Sequence, residues 1–129
     1  MKKNKFKAVY MNHSSANMME FVSDAIEVET IDSEFNKQQK VEALHKSEHI
    51  MHNKENQLQL SFYQAIMDKL KTSDSVLLFG STTAKMELHN LMKEDSHFKN
   101  ITIECKQTDK LTDNQQQAFV KDYIKHQLS

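Results

Sequence analysis

The sequence is poor in residues that bend or cross-link a chain. Its 129 residues include one glycine, Gly80, one cysteine, Cys105, and no proline or tryptophan. The single cysteine excludes a disulfide within the chain and a zinc site built from several cysteines. It lies in the alternating stretch ITIEC, where we expect a packed or half-buried thiol.

Arginine is also absent, since all 17 basic residues are lysine. Sequence-specific DNA readers and many phosphoryl-transfer enzymes depend on arginine forks that bind guanine or phosphate. The formal net charge of -1 also weighs against tight, non-specific binding to nucleic acid. We therefore expect no sequence-specific DNA binding.

Long hydrophobic runs are missing as well. No apolar stretch approaches the roughly 20 residues that cross a bilayer, or the apolar segment of a signal peptide. Hydrophobic residues make up 38% of the chain and charged residues 27%, an ordinary balance for a globular domain. We expect one cytoplasmic domain over residues 1–129, with no membrane segment.

The hydrophobic pattern predicts an α/β protein. Strands are predicted at Phe6–Met11, Met18–Val22 and Ala25–Ile31, with a turn at His13–Asn17, and together they form an antiparallel meander. A bare apolar run at Val76–Phe79 is typical of a strand buried on both faces. Ile101, Ile103 and Cys105 alternate as a further strand. Three amphipathic helices are predicted, with apolar stripes at Leu58, Phe62, Ala65, Ile66 and Leu70, at Ala84, Leu88, Leu91 and Met92, and at Ala118, Phe119, Tyr123 and Ile124. The first helix is predicted to end near Thr72 and Ser73, and the third to open with the T-x-x-Q capping box of Thr112–Gln115.

The lone glycine ends the buried strand and precedes a predicted helix. Glycine permits a tight turn and a close backbone approach, and Ser81, Thr82 and Thr83 can each cap the helix. Lys85 follows in the first turn. We interpret Gly80, Ser81, Thr82 and Lys85 as a candidate anion-binding turn, although a strand-to-helix turn needs a glycine and a cap even when nothing binds.

The segment from about 32 to 56 is polar and loosely patterned. Its lysines and histidines are the candidate partner-binding residues: Lys40, His45, Lys46, His49, His52 and Lys54. His45, His49 and His52 share one face if the segment is helical, so zinc binding is an alternative. The lysine-rich surroundings favour a solvated face, and we expect no metal and no cofactor.

Three stretches resemble a known family: AVYMNHSSANMMEF (Ala8–Phe21), VLLFGSTTAKMEL (Val76–Leu88) and KQTDKLTDNQQQAFVKDYI (Lys106–Ile124). They are similar to the central domain of eukaryotic- and archaeal-type peptide release factors and Pelota, and to small free-standing bacterial versions of it, the translational machinery proteins. The resemblance implies a three-layer, ribonuclease-H-like α/β fold with a mixed five-stranded sheet in the order 3-2-1-4-5.

Two departures from the family bear on activity. The release-factor domain hydrolyses peptidyl-tRNA through a Gly-Gly-Gln loop, and a chain with one glycine cannot contain that loop. Ribonuclease-H nucleases hold metal with an aspartate on the first strand, where this sequence has Asn12, a neutral and poor ligand for Mg²⁺. Gly80 and Lys85 match the family's turn, but Ser81 replaces its proline.

The leading hypothesis is therefore a non-catalytic accessory protein of translation that binds the ribosome, ribosomal RNA or a translation factor. The first alternative is a small phosphate- or nucleotide-handling enzyme centred on the Gly80 turn. The second is a histidine-based metal-binding protein.

Overall fold

The computed structural model describes residues 5–22, 25–33 and 48–128, and side chains at 5–21, 25–33 and 58–126. These parts form one five-stranded sheet with three α-helices and a short 3-10 helix. No helix among them is both long enough and apolar enough to cross a membrane. The strands are β1 (Phe6–Met11), β2 (Ser15–Val22), β3 (Ala25–Asp32), β4 (Ser75–Gly80) and β5 (Thr102–Gln107). The helices are α1 (Glu48–Leu70), α2 (Ala84–Lys93), the 3-10 helix (Ser96–Phe98) and α3 (Asp113–Leu128).

The first three strands form an antiparallel meander, as the sequence predicts. The first turn is shorter than predicted, because β2 begins at Ser15 and not at Met18. The side-chain oxygen of Asn12 accepts hydrogen bonds from the backbone N–H groups of Ser14 and Ser15, at 2.8 and 2.9 Å. This side-chain turn reverses the chain early and leaves the following residues free to pair with β1.

β4 is an interior strand that pairs in parallel with β1 on one side and with β5 on the other. Val76 and Leu78 point into one core, Leu77 and Phe79 point into the other, and all four are at most 2% exposed. The predicted strand with two buried faces is therefore confirmed. The sheet order is 3-2-1-4-5, with helices on both faces, which confirms the three-layer, ribonuclease-H-like α/β fold.

Helices α1 and α2 cover what we call the first face of the sheet. The predicted stripe of α2 is confirmed, with Leu91 half-buried and the other three residues fully buried. In α1 the prediction was wrong for Ala65, which is exposed, whereas Tyr63 and Met67 are buried. The buried stripe of α1 is broader than predicted because the helix packs against both the sheet and α2.

Helix α3 covers the second face, and it begins with the predicted capping box. The backbone N–H of Thr112 donates to the side chain of Gln115 at 2.9 Å, and the N–H of Gln115 donates to the Thr112 hydroxyl at 3.3 Å. Each side chain thus satisfies a backbone donor that the first turn of a helix leaves free.

The predicted apolar stripe of α3 was wrong at Ala118, which is exposed. Gln116 and Val120 are buried in its place, at 4% and 2% exposure. Ala118 lies two positions from both of them, and residues two apart do not share a helix face. Phe119, Tyr123 and Ile124 pack against the second-face core as predicted.

The loosely patterned segment predicted at 32–56 is described only in part. Residues 34–47 lie outside the described residues. From Glu48 onward the chain is helical, so α1 begins well before the stripe that predicted it. The helix ends at Leu70, close to the predicted end near Thr72 and Ser73.

Candidate functional site at the carboxyl edge of the sheet

Three parallel strands end at the same edge of the sheet. β1, β4 and β5 run parallel, so Met11, Gly80 and Gln107 bring their following turns together. In open α/β sheets, ligands bind outside the carboxyl ends of the strands. This edge is therefore the candidate functional site, and it contains the sequence-predicted Gly80 turn.

Gly80 is required by a close backbone approach. Its φ is +153°, and a Cβ at this position would lie 2.5 Å from the backbone oxygen of Met11. That oxygen belongs to the neighbouring strand and cannot move aside as a flexible side chain could. The Gly80 carbonyl accepts a hydrogen bond from the Thr108 N–H at 3.0 Å, which ties the turn to the end of β5. The predicted tight turn is confirmed.

The three hydroxyl residues after Gly80 differ in what they do. Thr83 is the N-cap of α2, but its side chain makes no capping hydrogen bond. The Thr82 hydroxyl accepts a hydrogen bond from the Ala84 N–H at 3.3 Å. Ser81 is exposed, and its carbonyl accepts from the side chain of Gln107 at 3.2 Å. Capping thus comes from Thr82, one of the three residues that the sequence offered.

Lys85 is buried at the base of this turn, with only 3% exposure. Its Nζ donates to the Thr82 carbonyl at 2.6 Å and to Oε1 of Gln107 at 2.7 Å. A buried ammonium needs such acceptors because unsatisfied burial of a charge is costly. Lys85 therefore fastens the first turn of α2 to the end of β5.

The structure brings the four predicted turn residues together, and it adds Gln107. Sequence reasoning missed Gln107 because it lies 22 positions from Lys85 and nothing local marks it. Binding of an anion at this turn stays a prediction. The Lys85 ammonium, which suggested anion binding, is directed toward oxygens of Thr82 and Gln107.

Beside the turn lies a polar cluster that sequence reasoning did not predict. It consists of His13 from the β1–β2 turn, Tyr63 from α1 and Glu87 from α2. The Tyr63 hydroxyl donates to Oε1 of Glu87 at 2.6 Å, and Nε2 of His13 lies 3.2 Å from Oε2. The Thr83 hydroxyl donates weakly to Oε2 at 3.4 Å, and the side chain of Gln59 donates to the His13 carbonyl at 3.1 Å.

The electrostatics of the cluster keep the carboxylate charged and the phenol neutral. Burial raises the pKa of Glu87, but hydrogen bonds from Tyr63 and His13 outweigh it and leave that pKa below its ordinary value. Burial, followed by the bond to Glu87, raises the pKa of Tyr63 well above its ordinary value. Glu87 thus acts as a fixed anionic acceptor that joins three separate segments.

Asn12 belongs to the same edge and is used structurally. Its side-chain oxygen is occupied by the two backbone donors that close the β1–β2 turn. Among the residues that the structure describes, no three His, Cys, Asp or Glu side chains are grouped so that they could hold a metal ion. Cys105 is half-buried, with its Sγ 3.9 Å from the Lys85 carbonyl, as predicted for a packed thiol.

The side chains of the predicted partner-binding residues lie outside the part of the chain that the structure describes. Lys40, His45 and Lys46 lie outside the described residues. His49, His52 and Lys54 belong to the backbone of α1, but their side chains also lie outside the described part. The structure therefore leaves this surface, and the histidine-based metal alternative, as predictions.

The fold and this edge define the chain as a three-layer α/β domain of ribonuclease-H-like topology. No protein-family model matches the sequence. No curated protein matches it either. Similar solved structures do exist, and two of them are archaeal Pelota proteins.

The Pelota protein of Thermoplasma acidophilum superposes with a TM-score of 0.59 and 14% identity, over 92% of this chain and 32% of that one. Archaeoglobus fulgidus Pelota gives a TM-score of 0.60 and 10% identity, over 94% of this chain and 32% of that one. The chain thus spans about a third of the length of both. At this identity the likeness establishes the fold, and it confirms the sequence resemblance to Pelota at that level.

Proposed function

We propose that the protein is a non-catalytic accessory factor of translation that binds the ribosome, ribosomal RNA or a translation factor. The observation that carries the proposal is the match of more than nine-tenths of the chain to two Pelota structures. The proposal includes a cytoplasmic location and the bacterial origin that the sequence resemblance implies. Fold alone does not establish function, so the proposal needs a direct binding experiment.

The absence of enzymatic activity is part of the proposal. A chain whose only glycine is Gly80 has no Gly-Gly-Gln loop with which to hydrolyse peptidyl-tRNA. Asn12 stands where ribonuclease-H nucleases carry a metal-binding aspartate, and its side-chain oxygen is already engaged by Ser14 and Ser15. We expect the purified protein to release no peptide from ribosomes and to cut no RNA or DNA with Mg²⁺.

The contact surface that we propose has two parts. One is the basic segment with Lys40, His45, Lys46, His49, His52 and Lys54. Its second half belongs to α1, where positions 49 and 52 are three residues apart and therefore share a helix face. The other is the Gly80 turn, where Ser81 and Thr83 are exposed.

Sedimentation with purified ribosomes tests this proposal. Lysine contacts to phosphate are screened by salt, so the bound fraction should fall steeply between about 50 and 200 mM salt. Replacing Lys40, Lys46 and Lys54 together by Ala should weaken binding further. The matched control is the triple replacement of Lys99, Lys110 and Lys121, which are exposed elsewhere on the molecule.

The outcomes separate the hypotheses. Complete absence from ribosomal fractions at low salt contradicts the proposed function. Equal effects of the two triple variants remove the basic segment as the contact surface. Catalytic turnover that disappears with Lys85→Met would favour a phosphate- or nucleotide-handling enzyme, provided that circular dichroism shows the variant to be folded.

A further inference from the structure

Strand β3 forms an open edge of the sheet within the described residues. It stands last in the order 3-2-1-4-5, so only β2 pairs with it. Its register with β2 is unbroken over all eight residues, from Ala25 opposite Val22 to Asp32 opposite Ser15. An edge strand leaves a row of backbone donors and acceptors free for another chain.

This edge lacks several of the features that usually protect one. Proteins block edge strands with charged side chains, especially lysine, with proline, with bulges or with short length. The charged residues of β3 are all acidic, so they repel an acidic segment and attract a basic one. β3 has the sequence AIEVETID, with neither lysine nor proline, and its unbroken pairing leaves no bulge. The strand is therefore a regular template for the addition of a further strand.

The two faces of β3 have different chemistry. Ile26, Val28 and Thr30 lie side by side on the second face, and Val28 is 44% exposed. Phe21 lies opposite Ile26 on β2 and is 41% exposed. These residues form an apolar strip beyond the core that α3 covers.

On the first face the same strand is acidic. Glu29 forms an ion pair with Lys69 of α1 at 2.6 Å, so this face already attracts one lysine. Glu27 is exposed and lies directly opposite Glu20. No cation among the described residues forms an ion pair with Glu20 or Glu27. Lys7 lies opposite Glu20 on β1, but its ammonium donates to the Lys69 carbonyl at 2.8 Å. Like charges in direct opposition are destabilising, and a cation beside them would relieve the repulsion.

A second copy of the chain is a poor occupant of this edge. Pairing β3 with itself about a two-fold axis perpendicular to the sheet keeps each face continuous. Glu27 and Glu29 of one copy would then lie beside the same residues of the other. The resulting repulsion disfavours a β3–β3 dimer.

The geometry points to β3 as the docking edge for an extended segment of a partner protein in which lysines alternate with apolar residues. Such a segment adds a sixth strand to the sheet. Its lysines lie beside Glu27 and Glu29 on the first face, and its apolar side chains extend the strip at Ile26 and Val28. The inference is independent of the proposed role in translation.

A labelled peptide of sequence KVKVKVK tests the inference by fluorescence anisotropy with the full chain. We expect saturable binding that the peptides EVEVEVE and KVKPKVK do not reproduce. The first control reverses the charge, and the second removes a backbone donor that strand pairing needs. Amide hydrogen exchange should slow at residues 25–32 when KVKVKVK is bound.

Two surface variants locate the site. Glu27→Lys should weaken binding about twofold to fivefold, as expected for loss of one cross-strand charge pair. Glu94→Lys makes the same charge change at an exposed position at the end of α2 and should leave binding unchanged. Both variants should melt within a few degrees of the wild type, since both positions are exposed.

Several results would overturn the inference. One is the absence of KVKVKVK binding at about 1 mM peptide, a concentration that would detect even weak affinity. The others are equal binding of KVKPKVK and an equal loss of peptide affinity in the two variants. Slow exchange of the outer β3 amides in the free protein would show that the edge is already covered. A concentration-dependent dimer in which exchange of the outer β3 amides slows would assign the edge to a second copy instead.

Discussion

The two faces of the sheet are closed in different ways. On the first face, α1 and α2 enclose fifteen of the described buried residues, whereas α3 encloses five on the second. Each face also carries a tyrosine that donates to a glutamate: Tyr63 to Glu87 on the first and Tyr123 to Glu104 on the second. The difference between these pairs shows how each face is held to the sheet.

The first-face pair joins segments that are far apart in sequence. Tyr63 and Glu87 come from two helices, and His13 adds the β1–β2 turn. The second-face pair joins only α3 and β5, and Glu104 also forms an ion pair with Lys106 of the same strand, 3.4 Å apart at their charged atoms. We infer that the first-face cluster holds three segments together, whereas the second-face pair fastens α3 to β5 closer to solvent.

Burial is the main cause of the raised pKa of both tyrosines. It raises the pKa of Tyr123 to about 12, with the bond to Glu104 as the next cause. The bond from Tyr123 in turn is the main reason that the pKa of Glu104 lies below its ordinary value. Tyr63 is only 4% exposed, so water reaches the position of its hydroxyl poorly. If that hydroxyl is removed, water therefore replaces its hydrogen bond to Glu87 incompletely.

The largest expected effect tests whether the smaller core is a true core. Phe79→Ala should lower the free energy of unfolding by about 3–5 kcal/mol, because buried aromatic rings leave large cavities. Phe79 is fully buried and stacks on Phe119 with ring centroids 4.8 Å apart. Leu78→Ala is the matched change on the first face. Urea denaturation followed by circular dichroism measures both, and an unchanged midpoint for Phe79→Ala would mean that α3 does not close a core.

The next largest expected effect on stability concerns the Gly80 turn at the carboxyl edge of the sheet. Gly80→Ala should cost about 1–3 kcal/mol, because its φ of +153° is strained for any side chain and the new Cβ would meet Met11 backbone. Ser81→Ala, at the next and exposed position, should stay within about 0.5 kcal/mol of the wild type. Thermal melts of the two variants provide the comparison, and equal melting temperatures would contradict it.

Removing each tyrosine hydroxyl sharpens the contrast between the pairs. Tyr63→Phe should cost about 0.5–1.5 kcal/mol, because it removes a hydrogen bond to a charged group in a partly buried place. Tyr123→Phe should cost less, since that ring lies nearer to solvent, where such bonds contribute little. Denaturant titration at pH 7 measures both. A larger loss for Tyr123→Phe would reverse our assignment of the two roles.

The smallest expected effect is the acid dependence of the first-face cluster. The pKa of Glu87 is lowered in the folded protein, so its stabilising contribution is present above the ordinary glutamate value of 4.5 and is lost as pH falls through the folded pKa. Glu87→Gln should therefore be less stable than wild type at neutral pH, and the difference should shrink as pH falls from about 5 to 3. Glu94→Gln controls for the loss of one exposed negative charge. A stability difference that does not change with pH would refute the linkage.

Much of the fold could be predicted from local pattern. The hydrophobic pattern located β1, alternation located β3 and β5, a bare apolar run located β4, and the T-x-x-Q box located the start of α3. These signals were sufficient because period, capping and strand burial depend on residues a few positions apart. The single glycine likewise marked a turn where a backbone oxygen approaches too closely for a side chain.

Tertiary structure alone decided what those elements place side by side. His13, Tyr63 and Glu87 meet across 74 positions of sequence, and Gln107 meets Lys85 across 22. The sequence did not indicate Tyr63 as a member of the polar cluster, because its position also fits the apolar stripe of α1. Ala118 was wrongly predicted to be buried because α3 packs on the sheet through the face that contains Gln116 and Val120. Contacts of this kind depend on how helices and strands pack in three dimensions, and a one-dimensional pattern does not contain that information.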